Sequence, residues 1–457
     1  MESYLSIVDL VLTPLLLALF FFSAKRIQAK HIEEEPFYRY YTIGLFMKLF
    51  GAIAICLVYV FYYGGGDTIN YFTDNRVITQ LFLQSPLKGI AYTFGPNTVD
   101  IWFSFNQNTG WPIYFLDGHA SMITKLTWVL NMITFNSFIG QTMLLAWISY
   151  FFIWRMYRIF LMEFPMLAKE FALSLFFVPS LFFWGSGLLK DTITFAAVAL
   201  FTSSFYFMIV KRTKMPLNFL YIVFASFLLI NIKPYIFFAL LPGSLLWFSG
   251  IGLSKINNQL LRVYMGPILA GITLGSVFIV LKFMSGFLGD YNLDNVLNKA
   301  VVTQHDLKSD YYQGSSFDIG EFDPTIPGIL GKMPKAINAA LFRPYLWEAN
   351  NAGMLMSGVE NFVMLLFTLY LLIKLRVYNA FRLMFRHRFL FFTVSFSLFF
   401  SFSVGLTTSN FGSLVRYKIP AIPFYLASLF IIRHTYIELK EEDRQKISAE
   451  NPELAGG

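Results

Sequence analysis

Long apolar stretches separated by short polar ones run along almost the whole chain. A membrane-spanning helix needs roughly 20 predominantly apolar residues. That pattern predicts spans over residues 5–24, 41–63, 137–154, 171–187, 192–210, 216–232, 235–250, 263–283, 356–373, 389–406 and 419–432. The stretch at 235–250 is short and also fits a half-helix. The expected fold is an all-α integral membrane protein of about 11 transmembrane helices, a single polytopic domain over 1–457. Two long segments interrupt the pattern, 64–136 and 284–355. Within the first, aromatic stretches such as LFLQSPLKGIAYTFG and WPIYFLDGHA suit juxtamembrane helices lying in the interface plane.

Composition agrees with this reading. The chain is 56% hydrophobic and only 14% charged, against about 25% charged in soluble domains. A soluble domain of this size is excluded. The net charge of +8 does not point to nucleic acid, because the basic residues sit in short loops between apolar runs. The one cysteine, Cys56, lies inside an apolar run, so no disulfide framework is expected. The first apolar run has neither a basic leader nor a small-residue cleavage site, and is expected to be a retained span.

Charge then orients the spans. With the N-terminus outside, the inner segments are 25–40, 155–170, 211–215, 251–262, 374–388 and the tail 433–457. They hold 21 of the 35 lysines and arginines, the bias expected of cytoplasmic loops. Lys48 is left inside a span near its inner end, where a lysine is expected to snorkel.

The polar residues on the outer side carry the candidate chemistry. The run from Phe171 to Val210 contains only two charged residues, Lys190 and Asp191, in FFWGSGLLKDTITF. It is expected to fold as a helical hairpin turning at GSGLLKD. The pair is either a plain polar turn or, since charges at such depth usually face a cavity or partner, part of a site. GGGDTINYFTDN places Asp67 after three glycines and Asp74 seven residues on, which share a face if helical. Glycines there allow close approach to a ligand, or a simple flexible turn. Lys233 precedes Pro234 in NIKPY, as interfacial anchor or anion ligand. ALFRPYLWEANN and the span after it bring Arg343, Glu348 and Glu360 together. Arginine suits bidentate phosphate binding, though an internal Arg–Glu pair fits equally. Arg416, Tyr417 and Lys418 stand directly before the last span as anion ligands or as an aromatic and basic girdle.

Other chemistries find little footing. His119, His305, His387 and His434 are scattered, so no zinc site follows from spacing. Neither a Walker motif nor a dinucleotide loop occurs. There is no internal repeat and no charge at mid-span apart from Lys48, which argues against a transporter.

Three motifs carry a resemblance: Asp67 in GGGDTINY, the hairpin PSLFFWGSGLLKD, and FRPYLWE followed by NFGSLVRYKIP. Together they resemble the bacterial polytopic glycosyltransferases of the GT-C superfamily and the related O-antigen polymerases. The architecture covers most of the chain and the motifs about a tenth of it. The acidic loop departs from the usual pattern by following the second span rather than the first. The resemblance implies a polyprenyl-phosphate-linked sugar donor, a glycan or lipid acceptor, and a place in the bacterial inner membrane among membrane lipids. It implies Asp67 as base, with Asp191 and Glu348 orienting cations. Lys190, Arg343 and Arg416 would hold phosphate, aided by Asp74, Lys233, Tyr417 and Lys418. A divalent metal is allowed but not required. The alternatives are a flippase for lipid-linked sugars and a non-catalytic envelope-assembly subunit.

Overall fold

The computed structural model describes residues 4–253, 296–307 and 316–450, with single positions 268, 271 and 275. The span expected at 263–283 otherwise lies outside the described residues, as do parts of the second long segment. Among the described residues the secondary structure is helical, with one isolated antiparallel bridge between Ser316 and Asn410.

Seven helices among the described residues are long and apolar enough to cross a membrane, or up to nine if each of two bent pairs is one span. The expected number of about 11 is thus not reached among them. Of the four expected spans not among the seven, two are bent pairs broken at prolines, one is a shorter helix and one, 263–283, lies almost entirely outside the described residues. Pro165–Phe177 and Pro179–Ser186 meet at 53°, and Phe411–Tyr417 and Ile422–Gln445 at 64°. Proline lacks the donor that would continue the helix and pushes its predecessor out of the α region; Val178 is accordingly extended, with φ −72° and ψ 124°. The stretch from Pro234 to Phe248 is a shorter apolar helix.

The chain divides into two compact units. The first comprises Met1–Phe160, Leu175–Phe238 and the short insert Val415–Pro420. Its helices are α1 (Ile7–His31), α2 (Tyr41–Val58), α3 (Asp67–Gln84), α4 (Pro86–Phe94), α5 (Gly118–Ile133), α6 (Phe138–Glu163), α7 (Lys190–Ile209), α8 (Met215–Ile232) and the start of α9 (Pro234–Leu253). Local chemistry sets several of their starts. The buried Asp9 carboxylate accepts from the Ser137 hydroxyl at 2.6 Å and the Ile139 N–H at 2.9 Å. It thereby satisfies a donor left over at the first turn of α6. Asp117 caps α5 through the His119 and Ala120 N–H groups.

Two contacts fix the Phe182–Ser186 turn against α2. A methyl group on Gly51 would come within 1.6 Å of the Phe182 carbonyl oxygen, so only glycine allows that approach. One turn earlier on α2, Lys48 donates to the Gly185 carbonyl. Lys48 is buried; it does not snorkel, because a carbonyl inside the protein accepts its hydrogen bond. In the first long segment, Val77, Tyr92, Phe105, Phe115 and Trp128 form a core. Leu87, Ile90 and Phe94 stay exposed along one side of α4, at 81%, 46% and 86%.

The second unit comprises Leu161–Ser174, Ala239–Leu414 and Ala421–Gly457. It holds α10 (Met333–Phe342), α11 (Ala352–Leu375), α12 (Arg388–Thr407) and α13 (Ile422–Glu450). Here too a glycine permits tight packing: a methyl on Gly405 would meet the Ala336 carbonyl oxygen at 1.9 Å, drawing α12 against α10.

Candidate functional site

In the first unit, residues far apart in sequence converge on one ionic network. Arg416 sits between two carboxylates. Its Nη1 lies 2.9 Å from Asp67 Oδ2 and its Nε 3.0 Å from Asp191 Oδ2. Lys233 donates to the other oxygen of Asp191 at 2.5 Å. The Lys233 amine lies 4.3 Å from the centre of the Tyr417 ring, and the Arg416 guanidinium 5.8 Å from that of Trp184. Aromatic faces attract such cations.

Each member arrives by a definite local device. Asp67 opens α3 directly after Gly66, whose φ of 116° suits glycine and where a Cβ would press on the Tyr59 ring at 2.9 Å. Lys190 and Asp191 begin α7, after the extended Leu189 breaks the chain. Lys233 ends α8, immediately before Pro234 starts α9. Arg416 comes from the Val415–Pro420 insert.

The sequence paired Asp191 with Lys190, and the structure does not. Neighbours on a helix point in different directions, and only residues three or four apart face each other. Lys190 turns to Asp117 Oδ2 at 3.4 Å, while Asp191 turns inward to Lys233 and Arg416. Burial pushes the Asp117 carboxyl up, but Lys190 and the two capping N–H groups outweigh it, so the net shift is downward. His119, on the same helix, reaches the Asn231 carbonyl oxygen at 2.7 Å and ties α5 to the end of α8.

Exposure is graded across the network. The side chains of Asp191 and Lys233 are 1% and 8% exposed, Arg416 18%, Lys190 23%, Asp67 41% and Asp117 47%. The buried core is the Asp191 carboxylate with its two cations. The open edge carries two carboxylates, each on a cation. Tyr114 completes the edge by donating its hydroxyl to Asp67 Oδ1 at 3.1 Å. Burial, then the charge of Asp67, pushes that phenol well above its ordinary value, so it remains a donor.

Asp74 lies elsewhere. Fully buried, it accepts from the backbone N–H groups of Ile113 at 2.6 Å and Tyr114 at 3.0 Å. It fastens the loop that carries Tyr114. Burial pushes its carboxyl up to about 6 despite those two hydrogen bonds. Lys418 is also fully buried. Arg343 and Glu348 belong to the second unit and are bound to each other. Arg343 Nε lies 3.1 Å from both Glu348 oxygens, and a second bond runs from its Nη2. Glu348 also accepts the Tyr345 N–H at 2.9 Å. Glu360 is buried in α11. No group of three or more His, Cys, Asp or Glu side chains among the described residues is arranged to hold a metal.

Asp117 and Tyr114 were not singled out from sequence, and Trp184 only as the tryptophan of the PSLFFWGSGLLKD motif, with no role. Asp117 carries a legible signal, an aspartate opening a helix in DGHA. Tyr114 carries none, being one aromatic among many. The chain matches no family model, no curated protein and no solved structure.

Proposed function

We propose that the first unit transfers a sugar, or a glycan unit, from a polyprenyl-phosphate donor at the outer face of a bacterial inner membrane. One observation carries this reading: Arg416 bridges a buried aspartate and a half-exposed one, with Lys190 held nearby on a second half-exposed carboxylate. Asp191, itself held by Lys233, fixes the guanidinium on its buried side. An arriving phosphate then has two weak, solvent-screened partners to displace, Asp67 from Arg416 and Asp117 from Lys190. Displacement leaves Asp67 free to take the proton of an acceptor hydroxyl, a task suited to a carboxylate. The cations stabilise the departing phosphate. A divalent ion bridging Asp67 and phosphate is compatible with the scheme and not needed by it. The positive charge of the short loops supports an outside N-terminus and a cytoplasmic tail.

A second reading, a non-catalytic envelope-assembly subunit, is favoured by a different aspect of the same network. Each of its charges already has an opposite partner, as a purely structural cluster would.

Binding and turnover of a polyprenyl-phosphate sugar separate the two. In the transferase reading, Lys190→Ala binds the donor about tenfold more weakly, the loss of one charge-assisted contact. Asp67→Asn binds it as well as wild type or better, having lost a competitor for Arg416, yet turns over none. The subunit reading requires that wild type and both variants bind equally poorly.

A further inference from the structure

The far end of the first unit carries charge that its ionic network does not use. α7 runs 20 residues from Lys190 to Ile209, a rise of about 30 Å, which matches the hydrocarbon thickness of a bilayer. At its C-terminal end the loop KRTK, residues 211–214, turns the chain into α8. Hydrogen bonds fix this loop on both sides. The Lys211 N–H donates to the Tyr206 carbonyl at 3.2 Å and the Thr213 N–H to that of Phe207 at 3.0 Å. Asn218, one turn into α8 and 3% exposed, donates from its amide to the Thr213 carbonyl at 2.7 Å. Arg212 and Lys214 are held left-handed, at φ 52° and 45°, a conformation uncommon outside glycine.

The same Asn218 accepts a hydrogen bond from Arg155 Nη2. Arg155, on α6, thus lies against both neighbouring helices, its guanidinium 5.2 Å from the centre of the Phe207 ring on α7 and 5.1 Å from that of Tyr221 on α8. Its Nε and Nη1 are left without a hydrogen-bond partner among the described residues. No carboxylate balances this cation. Its charged neighbour is another cation, Arg158. The acids at this end are otherwise engaged: Glu35 is held by Arg158 and Glu163 faces His387, while Glu33 and Glu34 sit in a segment that carries Lys25, Arg26, Lys30 and Arg39. The first turn of α8 has no acidic residue. Lys211, Arg212 and Lys214 are exposed and have no ion-pair partner among the described residues.

Toward the bilayer centre both helices turn apolar side chains outward. On α6, Phe151, one turn before Arg155, is 64% exposed. On α8, Leu220 and Phe224, one turn apart on the same face, are 60% and 45% exposed. Four unbalanced cations therefore stand at headgroup depth above an open apolar surface. We propose that Arg155 and the KRTK loop hold the phosphate of an anionic phospholipid, whose acyl chains lie along Phe151, Leu220 and Phe224. Arg155 supplies a preformed planar contact to the phosphate oxygens, and the three loop cations supply attraction to the anionic surface. A free phosphate would gain nothing from the apolar side chains, whereas a lipid uses both parts. In the proposed orientation the site faces the cytoplasmic leaflet, and it is independent of the transferase chemistry at the other end of α7.

The test is native mass spectrometry of the purified full-length protein in detergent, titrated with phosphatidylglycerol, phosphatidylcholine or glycerol 3-phosphate. The expected result is phosphatidylglycerol retained at least about tenfold more tightly than the zwitterionic phosphatidylcholine, with glycerol 3-phosphate weaker than phosphatidylglycerol because it lacks acyl chains. Arg155→Gln should weaken phosphatidylglycerol binding about tenfold. Arg155 also packs between helices, so a triple variant that leaves the packing intact, Lys211→Gln with Arg212→Gln and Lys214→Gln, provides the second measurement and should lose about tenfold or more. Arg382→Gln with Arg386→Gln removes two exposed basic residues from another segment and should leave binding unchanged. Equal retention of the two lipids overturns the proposal, as does unchanged binding in the triple variant. An equal loss in the Arg382 and Arg386 variant also overturns it, because overall charge rather than a site would then be at work. Glycerol 3-phosphate binding as tightly as the lipid would mark a bare anion site and remove the lipid.

Discussion

At the scale of single residues, depth decides what each charge does. Asp191 is almost wholly buried between two cations, so its removal leaves both uncompensated. Asp191→Ala is expected to destabilise the protein by about 3–5 kcal/mol, read as unfolding in micelles by steric trapping. Asp67 belongs to the same network but is far more exposed. Asp67→Asn should cost no more than about 1 kcal/mol, as exposed pairs do. Similar losses for the two would show that the network is not graded by depth.

Asp74 provides a pH test. Its carboxyl rises from an ordinary 3.8 to about 6. Between those values the folded state holds the proton more often than the unfolded one, so its contribution to stability falls as pH rises. Asp74→Asn mimics the protonated form and lacks that slope. Its stability relative to wild type should therefore increase from about pH 4 to about pH 6 and level off above. A flat difference across this window would show that the carboxyl titrates normally.

Much of this was legible one residue at a time and little of it in pairs. Asp67, Lys190, Asp191, Lys233 and Arg416 stand out as charges beside long apolar runs. Their pairings do not, because the partners lie 42 positions apart for Lys233 with Asp191 and 225 for Arg416 with Asp191. Lys48 misleads for the opposite reason. A lone lysine near a span's end reads as reaching for water, and nothing in the sequence reveals a carbonyl aimed at it.

At the scale of elements, close approach of backbone to helix sets the fold. Gly51 and Gly405 each admit a carbonyl oxygen where a side chain would stand. Alanine at either should cost about 1–3 kcal/mol or more through overpacking. Gly118, in the first turn of α5, has open space around it. Gly118→Ala should be neutral or slightly stabilising, because alanine is the better helix former. Melting temperatures of the three variants check the contrast, and equal effects would sink it. Spans were readable where apolar residues continue without proline. Around Pro179 and Pro420 the apolar run continues in sequence but the helix axis bends, and the sequence does not show the bend.

At the scale of the molecule, the proposed orientation makes a prediction of its own. Cys56 is the one cysteine and is buried, so a Cys56→Ser background is blank to thiol reagents. A cysteine replacing the exposed Gln107 of the first long segment should react with a membrane-impermeant maleimide on intact cells. One replacing Arg212, in a short basic loop, should react only after permeabilisation. The reverse pattern would invert the whole topology.

The insert Val415–Pro420 belongs to the first unit, while the chain on both sides of it belongs to the second. Synthesis proceeds from the N-terminus, so Asp67 and Asp191 emerge long before Arg416 exists. Until then Asp191 has Lys233 alone, and Asp67 has no guanidinium. The first unit thus cannot lock until the Val415–Pro420 insert has left the ribosome. A chain broken off before residue 415 would carry an open, charge-imbalanced core, a recognisable mark for membrane proteases. The six-residue insert is the piece that closes the ionic core after its other members are already in place.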